Sequence, residues 1–198
     1  RSRIAKKAMQ KTGKAISIVS NHYKEGQHWL VFCEDQEQLA AIIVGLEAIG
    51  LKAIEYHSNM IGAQKETLNY FKEAGGILVS IRCLDQGVDI PQLSHALILA
   101  SSQNPRQFIQ RRGRVLRKNP YNDAKRYAVI HDVIVVPEKL EEEPEQTALL
   151  HSEYRRAYEF ANTSRNRYSS RSELIMIANK IGLDLDKFID VGIELDVE

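Results

Sequence analysis

Through the first two thirds of this chain, short apolar runs alternate with amphipathic stretches, and that alternation constrains the fold more than any single residue does. HWLVFC (28–33), bounded by Gly26 and the acidic stretch EDQEQ, predicts a short buried strand. In the segment that follows, Leu39, Ile42, Ile43, Leu46 and Ile49 recur at spacings of three and four, which predicts a helix, with Asp35 placed to cap it and Gly50 to stop it. The pattern repeats: KAIEYH (52–57) as strand, AQKETLNYFKEAGG (63–76) as a helix ending in glycines, and GILVSI (76–81) as strand. After a loop around DQGVDIP come HALILAS (95–101) as a buried strand, PRQFIQRRGRVLR (105–117) as a helix with Pro105 near its first turn, and RYAVIHDVIVV (126–136) as one long or two short strands. Strands alternating with helices of about 10 to 15 residues predict an α/β fold, a parallel sheet covered on both faces. Such sheets bind ligands beyond the carboxyl ends of their strands. The loops after Cys33, His57, Ile81 and Ser101 therefore share one edge.

The flanks read differently. Residues 3–23 carry Ile4, Ala8, Ile16 and Val19 at helical spacing and predict a helix interrupted near Gly13, one that packs on the body or leads in from a preceding domain. After Pro137, EKLEEEPEQ reads as a solvated linker, followed by two helices (147–164 and 171–182) and an acidic tail. The expected division is a lead-in over 1–26, an α/β lobe over 27–137 and an acidic helical extension over 138–198. Charge follows the same division. Residues 1–137 hold 19 Lys and Arg against 12 Asp and Glu, a charge of +7, whereas 138–198 hold 8 against 14, a charge of −6. The basic body suits a polyanionic partner or an ordinary solvated surface. The acidic extension suits a protein partner.

No apolar run approaches the roughly 18 residues of a membrane span, and residues 1–14 lack the apolar stretch of a secretory signal. Cys33 and Cys83 stand apart with no CxxC or Cys/His cluster, so neither a disulfide framework nor a metal site is expected, and a reducing, cytoplasmic setting fits. The six histidines lack metal spacing. His57 alone falls at the expected ligand edge, while His95 and His131 read as strand or strand-end residues and Cys83 as a small core filler.

Two segments carry chemistry. QRRGRVLR (110–117) places four arginines within eight residues on a helical stretch. Arg114 and Arg117, three apart, share a face and can aim two guanidinium groups at one target, while Arg111 and Arg112 leave in other directions. Guanidinium suits phosphate because it is planar, always charged and bidentate. Gly113 permits close approach of a neighbouring backbone. The bland alternative is a basic helix face in solvent. In the loop ILVSIRCLDQGVDIP (77–91), an apolar strand delivers Ser80 to the sheet edge; Gly87 then supplies backbone freedom, Asp89 can accept from a ribose hydroxyl or hold an arginine, and Pro91 fixes the exit. Taken alone, G-x-D-x-P is plain turn chemistry.

Together, HWLVFCEDQEQ, EYHSNM, ILVSIRCLDQGVDIP and QRRGRVLR resemble, in order and spacing, motif IV, the His-led loop after it, motif V and motif VI of the second RecA-like lobe of superfamily 2 helicases and translocases. The resemblance covers roughly residues 27–136. LDQGVDIP and GRVLR look most like the DNA repair and transcription group that includes XPB, and like restriction and phage-defence motors; QRRGR also occurs in viral RNA helicases. The resemblance implies a RecA-like sheet sandwiched by helices, with DNA preferred over RNA as partner and ATP with Mg²⁺ as cofactor. It implies that Arg114 and Arg117 are arginine fingers, that Gly87, Asp89, Gln110 and Gly113 line the nucleotide cleft, and that Ser80, His57 and Ser58 touch a strand backbone. Two departures stand out. Ile81 replaces the threonine that many members carry after the position of Ser80, and the arginine often found in the helix after His57 falls near Gln64 or Lys65.

The sequence holds no G-x-x-x-x-G-K-[ST] loop and no D-E-x-[DH] tetrad, so nothing in it cradles the β- and γ-phosphates or holds Mg²⁺ by the usual means. The chain alone is expected not to hydrolyse ATP. A preceding lobe carrying those motifs is the expectation, in keeping with a chain that opens at Arg1. The competing expectation is a stand-alone RecA-like module that binds nucleic acid or a protein without ATPase function.

Overall fold

The computed structural model describes residues 2–57, 60, 64–81, 90–99, 127–136 and 144–184. It divides into two compact units, 1–133 and 134–198.

The first unit is built on a five-stranded, wholly parallel sheet. Its strands are β1 (His28–Cys33), β2 (Ala53–Tyr56), β3 (Gly76–Ile81), β4 (His95–Ile98) and β5 (Val129–Asp132), in the order β2-β3-β1-β4-β5. The central strand is β1, whose HWLVFC run is buried from Trp29 onward because helices cover both of its faces. Helices α1 (Ser2–His22) and α2 (Gln36–Ala48) lie on the face shown by Trp29, Val31, Cys33, Ile77, Val79 and Leu97, and pack Ala15, Val19, Leu39, Ile42 and Leu46 into it. The pleat sends Leu30, Phe32, Leu78 and Ser80 to the other face. There Phe71 of α3 (Gln64–Ala74), fully buried, meets the His28 ring edge-on at 5.4 Å.

Local chemistry sets the helix ends. Asp35 accepts from the Gln38 backbone N–H at 2.8 Å while the Gln38 side chain accepts from the Glu34 N–H at 2.8 Å, a reciprocal cap that starts α2 one turn past β1. Past α3, Gly75 takes φ 74° at a place where a Cβ would stand 3.0 Å from the Gln27 carbonyl oxygen, and the Gly76 N–H donates to that same carbonyl at 2.8 Å. No side chain fits that approach.

The lead-in departs from expectation. Rather than breaking near Gly13, α1 is one helix over Ser2–His22. A mid-helix glycine costs about 1 kcal/mol relative to alanine; burying Ala15 and Val19 outweighs it. Midway along the helix, Lys11 Nζ reaches the Leu99 carbonyl past the end of β4, and in its last turn His22 meets the His131 ring at 5.3 Å.

The second unit pairs α4 (Pro144–Thr163) with α5 (Arg167–Ile181) around Leu150, Tyr154, Ala178, Ile181 and Leu183, with Ile134 and Val136 packed against them. Gly182 ends α5 at φ 75°, its N–H returning to the Ala178 and Asn179 carbonyls. Buried Glu153 accepts from the Val135 N–H at 3.1 Å, which ties the incoming chain to α4.

Candidate functional site

Because every strand runs the same way, their carboxyl ends share one edge, as expected of the loops that follow them. In register, Cys33 stands beside Ile81, Phe32 beside Ser80 and Ile98, and Tyr56 beside Ser80. Several polar groups meet this edge under cover. Ser80 is 1% exposed, and its hydroxyl has no hydrogen-bond partner among the described residues. An unpartnered buried hydroxyl costs roughly 1 to 3 kcal/mol on mutational scales. Such a cost persists where the group serves something besides folding.

His57 lies one residue past β2 with its side chain 15% exposed, and its Nε2 sits 3.1 Å from Glu55 Oε1. Two bonds hold its backbone: the Gln64 side-chain amide donates to the His57 carbonyl at 2.9 Å, and the Met60 N–H donates to it at 3.2 Å. Gln64 thus holds the His57 backbone from the first turn of α3, where Lys65 is exposed. Of the two positions where the family's arginine falls, only Lys65 turns a cation to solvent.

Lys11 was invisible to motif reading. It is 8% exposed, and its ammonium donates to the Leu99 carbonyl at 3.1 Å. The Leu99 N–H donates to Phe32 O at 3.0 Å, so the exit of β4 is fixed on both sides. Nothing in RIAKKAMQK marks this lysine among its basic neighbours. Glu55 was also missed, although its i, i+2 spacing from His57 on a strand was a legible signal. Cys33 is a free, buried thiol that burial, with Asp35 adding to it, pushes up to about 12, so it stays protonated at neutral pH.

The remaining expected site residues, Ser58, Gly87, Asp89, Gln110, Gly113, Arg114 and Arg117, lie outside the described residues, as does Cys83. Among the described residues no cluster of His, Cys, Asp or Glu is arranged to hold a metal, and no helix is long and apolar enough to cross a membrane.

This sheet order, with polar groups gathered at the carboxyl edge, is that of a RecA-like helicase C-terminal fold. The model of the helicase conserved C-terminal domain matches residues 10–119, more than half of the chain, and the chain belongs to that family. Among relatives, a Methanocaldococcus jannaschii protein that carries the provisional name of an ATP-dependent RNA helicase is 29% identical over 117 residues, 54% of this chain and 15% of its own length. DEAD-box ATP-dependent RNA helicase 22 of Arabidopsis thaliana is 26% identical over 106 residues, 53% of this chain and 18% of its own. ATP-dependent DNA helicase Q1 of Mus musculus is 23% identical over 120 residues, 60% and 18%. The chain thus spans less than a fifth of the length of these relatives. In fold, it superposes on the C-terminal domain of a Saccharomyces cerevisiae Dbp5 variant, seen bound to Gle1 and IP6, with a TM-score of 0.54 at 13% identity, covering 87% of this chain and 93% of that one. The Escherichia coli DEAD-box protein SrmB gives 0.50 at 19% identity, covering 63% and 70%. Relatives named for RNA and for DNA both occur, so neither the DNA preference nor the XPB-like grouping finds support among them.

Proposed function

We propose that this chain is the second motor lobe of an ATP-dependent superfamily 2 nucleic-acid helicase or translocase. The observation that carries the reading is the family match over 10–119, which runs through both the loop after β3 and QRRGRVLR. In this reading Arg114 and Arg117 reach across a cleft to the triphosphate of ATP, held with Mg²⁺ mainly by a preceding lobe. Gly87, Asp89, Gln110 and Gly113 line that cleft, and Ser80, His57 and Ser58 grip a strand backbone. The bond from Gln64 to the His57 carbonyl supports the grip, since it fixes the His57 backbone before any strand arrives. DNA is the preferred strand, on the likeness of LDQGVDIP and GRVLR to repair and restriction motors, and the parent protein sits in a reducing cytoplasm that suits the free thiol of Cys33.

The test uses the parent protein with its preceding lobe. Arginine fingers are worth roughly 10³ to 10⁵ in rate. Arg114→Ala and Arg117→Ala should each lower nucleic-acid-stimulated ATP turnover by about 10³-fold or more with circular dichroism unchanged; turnover near wild type in both removes the finger role. The present chain alone should turn over no ATP and bind single strands weakly, with affinity falling steeply as salt rises. Robust turnover by it contradicts the reading, and tighter binding of RNA than DNA overturns the strand preference.

A further inference from the structure

The amino half of the sheet holds a cluster that the motor reading leaves unused. Trp29, fully buried on β1, is stacked by His95 of β4 at 4.4 Å and 3° and by His131 of β5 at 5.5 Å and 13°. His22, exposed in the last turn of α1, meets the His131 ring at 5.3 Å. Four elements therefore join through one indole and three imidazoles. Hydrogen bonds hold parts of the cluster: Trp29 Nε1 donates to Gln27 Oε1 at 2.8 Å, and His95 Nδ1 lies 2.9 Å from Ser94 Oγ. His131 Nε2, by contrast, is buried with no hydrogen-bond partner among the described residues.

Such a stack tolerates neutral rings and resists charged ones. Burial, together with the charges of His131 and His22, lowers His95 to about 4; burial and the charge of His22 lower His131 as well. Among the described residues, the charges acting on these two rings are thus imidazoles only, from α1 and β5. His28 of β1 faces the other side of the sheet, against Phe71. A group whose folded-state pKa is depressed leaves the opened state holding more protons, so stability falls with pH from the ordinary histidine value of 6.5 down toward the folded value near 4.

We propose that this imidazole–indole stack is a pH-sensitive latch that holds the carboxyl end of α1 on the amino half of the sheet when its rings are neutral and releases it when they protonate. The proposal does not depend on the motor reading. Release exposes Trp29 while the rest of the sheet stays folded, because the remaining core of this unit is built mainly of side chains that carry no titrating group, Leu39, Ile42, Leu46, Phe71 and Leu78 among them.

Trp29 is the chain's single tryptophan, so its emission reports on the latch directly. Lowering the pH from 8 to 4 should shift that emission reversibly to the red while far-UV circular dichroism is retained. His22→Gln, at an exposed position, should move the red shift to lower pH: without the repelling charge the closed-state pKa values rise toward the open-state ones, and fewer protons are taken up on opening. His131→Gln should move it further. A constant emission wavelength down to pH 4, a red shift that coincides with loss of helix, or a His22→Gln curve that overlays wild type would each overturn the latch.

Discussion

The two ends of one sheet are made on different terms. At the amino half, rings from three strands stack around the one tryptophan, which is fully covered, and an exposed ring of α1 is set against them. At the carboxyl edge, a buried ammonium caps the exit of β4, a buried hydroxyl lacks a partner among the described residues, and a histidine carbonyl is held by a side-chain amide. The difference teaches where a parallel sheet can carry function. Helix N-termini and loop polar groups converge at the carboxyl ends, so cost accepted there can serve a ligand. At the opposite end, area removed from water is the main return.

Substitutions at three positions break or sharpen this contrast. Trp29→Ala should cost about 3 to 5 kcal/mol, the range for buried aromatic truncation, in urea unfolding followed by circular dichroism; a cost near 1 kcal/mol would show that the stack is not what holds the amino half. Lys11→Met keeps the length of the side chain but strands the Leu99 carbonyl, and should cost about 1.5 to 3 kcal/mol, as for hydrogen bonds to charged groups, with partial recovery in Lys11→Arg. Unchanged stability in Lys11→Met would remove the ammonium from the account of the edge. Smallest is Ser80→Ala, expected to leave stability unchanged or to raise it by up to about 1 kcal/mol, since it deletes a buried hydroxyl with no partner among the described residues. A loss as large as that of Lys11→Met would mean the hydroxyl is satisfied and the edge is not polar at a cost.

Much of the lobe was legible. Residues 28–33 and 76–81 are strands over their full apolar runs, because central parallel strands buried on both faces leave nearly continuous apolar sequence. The cap at Asp35 and the glycines after α3 were equally clear, since they act within one turn. Two other strands end earlier than their apolar runs: β2 is strand over 53–56 of 52–57, and β4 over 95–98, ending before Leu99. Their ends depend on what lies alongside, as where β4 gives way to single bonds at Leu99. Of the expected site residues, His57 and Ser80 fall at the carboxyl edge of the sheet, on a strand pair whose pleat the sequence could not assign to a face.

Sequence by itself determined the fold class and the family, because period, capping and motif spacing are local and survive without knowledge of partners. It also placed His95 and His131 in strands, as observed. Only the tertiary structure decided the strand order, the burial of Lys11 against a carbonyl 88 residues away, and the stacking of two histidines on one indole with a third set against them. Those facts depend on which elements become neighbours. Neighbourhood is settled by how helices cover the sheet, a collective packing outcome that no short stretch of chain encodes alone.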